Sequence, residues 1–176
     1  MNTRNVLTGF FLVVSVVGQG AIALSRAGES SVRVLARGPA GLRIEGKSSQ
    51  IDFEEDASAL TFKVPIAPIE TGIGLRDRHL REALEAEKFP AAILRVSRSE
   101  LTFPKEHDPA EGTAQGDLTL HGKTKSISFP AGIKVGADAV SLSSTFKINR
   151  QDFGISFGAG KVDDDVTLKV TVNAKK

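Results

Sequence analysis

Arg76, Asp77, Arg78, His79 and Arg81 fall within six consecutive positions, directly after a glycine-containing turn at Gly72 and Gly74. An imidazole among charges can move protons, and guanidinium groups can hold a carboxylate, a phosphate or another polar head. Arg76 and His79 are three residues apart, so on a helix they share a face. A second polar group, Asn149-Arg150-Gln151-Asp152, closes a long alternating stretch. Two readings stand side by side. Arg76, His79 and Arg150 hold a polar or anionic head group at a cavity mouth, or Arg76–Asp77 and Arg150–Asp152 are ion pairs that fix a helix and a turn.

Catalysis would need partners for these groups, and the sequence supplies few. The histidines are His79, His107 and His121, with no H-E-x-x-H or H-x-H spacing. A zinc site wants three or four ligands converging on one point, which would require three distant segments to meet. His107 sits in the polar loop Pro104 to Gly112, and His121 ends a strand before Gly122-Lys123-Thr124. No G-x-S-x-G elbow is present for a serine nucleophile. Gly154-Ile155-Ser156-Phe157-Gly158-Ala159-Gly160 lacks the strand-to-helix setting of a phosphate loop; it reads as a flexible strand or bulge. Asp163-Asp164-Asp165 reads as a solvated turn. No catalytic residue and no metal site is assigned.

The elements that must position these groups are strands. Alternation of apolar residues, the period of a half-buried strand, recurs at Val32-Val34-Ala36, Leu42-Ile44, Ile51-Phe53 and Leu60-Phe62-Val64-Ile66. It resumes at Ile93 to Val96, Leu101-Phe103, Ala114-Gly116-Leu118-Leu120 and Ile127-Phe129-Ala131-Ile133. Val140-Leu142-Ser144-Phe146-Ile148 and Val166-Leu168-Val170-Val172 complete the series. Turn signals separate the runs. Eight or more short strands at this spacing mean a sandwich or a closed barrel. The single helical pattern spans residues 71–84, with Asp77 as N-cap, Leu80 and Leu84 on one face, and Phe89-Pro90 as terminator. A lone charged helix in such a protein serves as a lid, a plug for a barrel end, or a catalytic platform.

Composition narrows the setting. Arg4 precedes an apolar run from Val6 to Val17, and Ala21-Ile22-Ala23 offers small residues at a cleavage site, which is the layout of a secretory signal peptide. Residues 1–25 are therefore read as a signal peptide cut after Ala23 or Ser25, and residues 26–176 as the one domain. The run is short of the roughly 20 apolar residues of a spanning helix, though an uncleaved anchor is the alternative. The chain has no cysteine, so neither disulfides nor a lipid-modified cysteine holds it. The expected location is the bacterial periplasm, without stable membrane insertion after cleavage. Removing residues 1–25 takes away Arg4 and no acid, leaving 22 basic against 21 acidic side chains. That balance argues against nucleic acid as a partner. There are ten Phe but no Trp or Tyr. An interior lined by Phe, which has no polar tip, suits either a dry core or a greasy cavity.

The same segments resemble the YceI-like family of exported lipid-binding proteins. The resemblance is carried by Ile69-Glu70-Thr71-Gly72, Arg76-Asp77-Arg78-His79-Leu80, Phe89-Pro90 and Gly116-Asp117-Leu118-Thr119-Leu120-His121-Gly122-Lys123-Thr124. It continues through Phe146-Lys147-Ile148-Asn149-Arg150-Gln151-Asp152-Phe153-Gly154-Ile155 and Asp165-Val166. The chain departs from the family pattern at Ile44-Glu45-Gly46-Lys47, which lacks a Phe after the glycine, and at Ala83-Leu84-Glu85, where the family commonly has Phe-Phe-Asp. The resemblance implies an antiparallel lipocalin-like β-barrel of about eight strands with one short inserted helix. It implies a carrier that sequesters an isoprenoid, quinone-like or fatty amphiphile, without a cofactor and without enzyme activity. On that reading Phe53, Phe62, Phe129 and Phe146 form the cavity wall, with Arg76, His79 and Arg150 near the head group. Two other readings remain: a barrel filled by its own side chains that serves as an interaction or structural module, and a small enzyme using His79 or His121 on a lipid-linked substrate. A homodimer is left open.

Overall fold

In the computed structural model, which describes residues 24–26, 28–105 and 108–176, every named strand joins one antiparallel sheet. The signal-peptide reading, apart from Leu24 and Ser25, and His107 lie outside the described residues. The strands are β1 (Ser25–Arg26), β2 (Ser31–Arg37), β3 (Arg43–Ser48), β4 (Asp52–Glu55), β5 (Ala59–Pro65), β6 (Ala91–Ser97), β7 (Pro109–Leu120), β8 (Lys123–Val135), β9 (Ala139–Asn149) and β10 (Asp165–Lys175). One helix, α1 (Gly74–Ala83), is inserted between β5 and β6. The sheet runs β3-β2-β10-β9-β8-β7-β6-β5-β4, with β1 added to β10, and it curls into a lipocalin-like barrel.

The barrel closes by other means than pairing β3 with β4. On β3, Lys47 and Glu70 exchange backbone hydrogen bonds of 2.8 and 2.9 Å, tying the strand to the segment that follows β5. Gly46 makes this approach feasible, because a Cβ there would lie 2.8 Å from Ile69 Cγ2. At the other end, β1 continues the row of β2 along β10, and the Leu24 N–H donates to Glu55 Oε2 of β4 at 2.6 Å.

Alternation sets which side chains face inward. Val140, Leu142, Phe146 and Ile148 of β9 share a face with Val166, Leu168 and Val172 of β10, because the two strands pair in continuous register from Asp165↔Asn149 to Lys175↔Ala139. At the lower end Leu24, Val32, Ile51, Leu60, Ile133, Val135, Val140, Leu142, Val172 and Ala174 form one buried cluster, whose upper members Ile51 and Leu142 also face the interior space above it. The upper end is covered by α1 and by the connection from Arg150 to Asp164.

Several local expectations needed correction. Leu101 and Phe103 lie in an irregular segment rather than a strand, although both pack against the core. Residues 154–160 form successive turns with no strand or bulge. The helix ends at Ala83, with Leu84 as its C-cap, before Phe89-Pro90. Ile73 occupies the N-cap position in place of Asp77, and no side chain caps the helix there. Asp77 instead sits in the first turn and accepts from Thr71 N and Thr71 Oγ1, each at 2.6 Å, which fastens the lead-in to α1.

Candidate functional site

Above the packed lower end the interior is hollow, with a cavity of about 390 Å³. Its wall is made of inward-facing aliphatic and Phe side chains of the sheet, among them Val64, Leu94, Leu118, Leu142 and Leu168. Helix α1 contributes Arg76, His79, Leu80 and Ala83, with Leu84 just beyond it. The spacing 76-79-80-83 is one helical face, so a single stripe of α1 roofs the cavity.

Of the residues singled out from sequence, Phe62, Phe129, Phe146, Arg76, His79 and Arg150 all line the cavity, and Phe53 does not. Phe53 packs behind Phe62, ring centroids 5.3 Å apart, as part of the layer around the lower core. It pairs with Phe62 across β4 and β5, so one Phe of the pair takes the lining position and the other supports it. Phe129 and Phe146 also meet, with centroids 5.5 Å apart.

The three polar candidates divide by how their donors are used. Arg150 is 5 % exposed and fully engaged. Its Nε donates to the Asp163 carbonyl at 3.2 Å, Nη1 to the Ile155 and Phe157 carbonyls at 2.7 and 2.9 Å, and Nη2 to the Val162 carbonyl at 3.1 Å and to Asp164 Oδ1 at 2.8 Å. A guanidinium has five N–H donors, and all five are taken. The expected Arg150–Asp152 pair is replaced by Arg150–Asp164. Arg150 therefore shapes the upper loop and has no donor left for a head group.

Arg76 is the opposite case. It is half-buried, lines the cavity, and has no hydrogen-bond or ion-pair partner among the described residues. The Arg76–Asp77 pair of the alternative reading does not form, because the Asp77 carboxylate is turned to Thr71. Those hydrogen bonds, from the Thr71 hydroxyl first and its N–H second, hold the Asp77 carboxyl below the ordinary carboxylate range. His79 is exposed at the same rim, its ring 5.9 Å from that of Phe157. Phe157 is about half exposed, as are Leu75 and Ile73 at the start of α1, at 52%, 54% and 46%.

His121 is not part of the cavity wall. It occupies the first position of the two-residue turn joining β7 to β8, with φ of 51° there and 72° at Gly122. Two positive φ values mark a turn whose twist matches the flanking strands. Gly122 is further required by packing, since a Cβ would lie 2.5 Å from the Phe89 ring. The imidazole is 12% exposed. Its Nδ1 donates to the Phe153 carbonyl at 3.1 Å, and Nε2 lies 3.0 Å from Glu85 Oε1. His121 thus bridges the β7–β8 turn, the 150–153 turn and the stretch after α1. Among the described residues no three His, Asp or Glu side chains gather where a metal could bind.

Sequence reasoning found the polar candidates from their charge, but it could not rank them, because ranking depends on partners distant in sequence. It also missed the roofing role of Ala83 and the aliphatic bulk of the wall. The signal for the latter was present in the alternation itself.

The profile described as YceI-like domain matches residues 26–174. A UPF0312 protein of Pseudomonas putida is 27% identical over 140 residues, covering 75% of this chain and 70% of that protein. Among solved structures, a polyisoprenoid binding domain from Saccharophagus degradans, implicated in plant cell wall breakdown, superposes with a TM-score of 0.73 at 13% identity, covering 83% of this chain and 93% of that one. Burkholderia cenocepacia BcnA superposes with a TM-score of 0.67 at 16% identity, covering 82% and 95%. At these identities the structural matches establish a common fold.

Proposed function

The chain belongs to the YceI-like family, and from that premise we propose that it binds and carries a long-chain amphiphile of isoprenoid type in its barrel, in the periplasm. The observation that carries this reading is the cavity itself, about 390 Å³ with a wall that is almost wholly apolar. A barrel serving only as a structural module has no use for such a void, because unfilled apolar space forfeits dispersion contacts. Small-molecule cavities fall in this size range, mostly apolar with a few polar groups that orient the ligand.

Magnitudes favour a long chain over a short one. Each buried methylene contributes about 0.8 kcal/mol, so ten give about 8 kcal/mol. The loss of translational and rotational freedom costs about 4–15 kcal/mol. A short chain barely offsets that cost, whereas a prenyl or acyl chain that fills the barrel exceeds it. Orientation then falls to Arg76, which is uncommitted, and to His79 at the rim. The periplasmic placement is supported by the signal-peptide layout of residues 1–25 and the absence of cysteine. The binding reading is supported by the fold shared with a domain described as polyisoprenoid binding.

The test is native mass spectrometry of protein purified from a Gram-negative periplasm, followed by solvent extraction. A co-purifying prenyl or acyl species, recovered from the wild type and exchanged by a fluorescent polyprenyl analogue, is the expected result. Failure to recover any lipid, together with no uptake of the analogue, would remove the carrier function.

A further inference from the structure

We propose that the Ala23–Leu24 peptide bond is the maturation site, and that the amine released on Leu24 becomes the charged partner of Glu55, locking β1 onto β4. This rests on the export part of the proposed function and not on the identity of any ligand. Sequence alone leaves two scissile bonds, after Ala23 and after Ser25. The fold distinguishes them.

Leu24 is 8% exposed and belongs to the buried lower cluster with Val32, Ile51 and Val172. The next two residues, Ser25 and Arg26, pair with Lys175 and Ala174 of β10. A cut after Ser25 would remove Leu24 from the core and half of β1 from the sheet. A cut after Ala23 leaves both intact, and it falls directly after the small-x-small pattern Ala21-Ile22-Ala23.

The nitrogen at that boundary already has a receptor. Leu24 N lies 2.6 Å from Glu55 Oε2, while Glu55 Oε1 pairs with the Arg98 guanidinium. The Glu55 side chain is 10% exposed. A peptide N–H at that point is a neutral donor. Hydrolysis by a processing peptidase that reads small side chains adds water across the amide: Ala23 leaves as a carboxylate, and Leu24 keeps the nitrogen as a primary amine. A free α-amino group has a pKa of about 7.7–8.0, so the amine takes up a proton near neutral pH and the contact becomes an ammonium–carboxylate pair. Charge-assisted hydrogen bonds of this kind are roughly twice as strong as neutral ones, and here the pair sits where water is largely excluded. Because Leu24 is buried in the finished barrel, the cut must precede folding. Removal of the export segment and the last closure of the barrel are then coupled through one atom.

The test begins with the full chain expressed in a Gram-negative host, recovered from the periplasm, and read by intact mass and N-terminal sequencing. Leu24 as first residue is the expected result. Arg26 as first residue overturns the inference while leaving export and lipid carriage standing. An unprocessed chain overturns both this inference and the export reading, and lipid extraction separately decides carriage. The role of the charge is tested by comparing the mature protein with a cytosolic form that retains a methionine before Leu24 and so keeps a peptide N–H there. The mature form should melt several degrees higher, and Glu55→Gln should erase that difference by lowering the mature form more. Equal losses in both forms on Glu55→Gln would assign Glu55 to Arg98 alone and refute the amine pairing.

Discussion

Replacing Arg150 with methionine separates the two roles the sequence left open for this residue. The change removes five hydrogen bonds, four of them to the carbonyls of Ile155, Phe157, Val162 and Asp163. At about 1.5–3 kcal/mol for each bond to a charged group, four such losses sum to roughly 6–12 kcal/mol. That sum is an upper bound, because Phe157 and Asp163 lie on an exposed loop where water can replace the lost donor. Asp164 is half exposed, so the cost of removing one partner from a buried ion pair, about 3–5 kcal/mol, is the closer ceiling. For a domain of this size each kcal/mol shifts Tm by about 2–4 °C, so Arg150→Met should lower Tm by up to roughly 20 °C. The assay is calorimetry on protein stripped of lipid, so that no ligand contributes to the melt. Arg150→Lys keeps the charge but has three donors instead of five, and should recover less than half of the loss. A Tm within about 2 °C of wild type for Arg150→Met, combined with lost amphiphile binding, would refute the loop-clamp assignment and return Arg150 to the head-group site.

Other perturbations act on separate parts of the molecule. Arg76→Ala should weaken an anionic amphiphile far more than a neutral one of equal chain length, by about tenfold for a partly desolvated charge contact of roughly 1.4 kcal/mol; titration with matched fatty acid and fatty alcohol decides it, and equal losses would make Arg76 structural. Ala131→Phe places a ring into the cavity wall between Phe129 and Ile133, so fluorescent polyprenyl uptake should fall while Tm holds or rises; unchanged uptake would show that the ligand does not reach this depth. The Asp77 carboxyl is held below its ordinary value of about 3.9 by Thr71, so its contribution is present above that value and disappears as pH falls through the lowered native one. The Tm gap between wild type and Asp77→Asn should therefore be widest near neutrality and close as pH falls below the ordinary carboxylate range, and a gap independent of pH would contradict the linkage.

Alternation along the long strands marked which residues share a face, and the pairing of β9 with β10 then fixed which face turns inward. Leu142, Phe146, Leu168 and Val172 all point where the pattern says. Short elements carried less information. Leu101 and Phe103 alternate like a strand, yet they lie outside the sheet and serve as packing. Phe53 alternates with Ile51, and only Ile51 reaches the cavity, since pairing with Phe62 places the Phe53 ring behind its neighbour. The expected Arg150–Asp152 pair failed for a different reason. Arg150 was matched with the nearest acid in sequence, Asp152, but the turn at Gly154, where φ is 74°, sends the chain back to present Asp164 and four carbonyls. Such a cage is built by tertiary return of the backbone, and residue types alone do not announce it. For Arg76 the informative property was an absence of partners, which no sequence can display.

The two ends of the barrel are held by different forces, and this difference predicts where the proposed ligand would enter. Below, Ile51, Leu60, Val140 and Val172 are essentially inaccessible and the sheet edges are tied through β1. Above, α1 contains no fully buried residue, and its tethers are local polar contacts, Thr71 to Asp77 and Glu85 to His121. Exposed polar contacts and few buried apolar ones are the marks of a segment that opens at low free-energy cost, whereas opening the lower end would require exposing the main core. Ligand exchange should therefore proceed under α1, past Arg76, His79 and Phe157. Hydrogen exchange measures this directly: amides of α1 should exchange well before those of β8 to β10 in lipid-free protein, and bound polyprenyl analogue should slow α1 selectively. Protection in α1 equal to that of β9 before ligand is added would place the exchange route elsewhere.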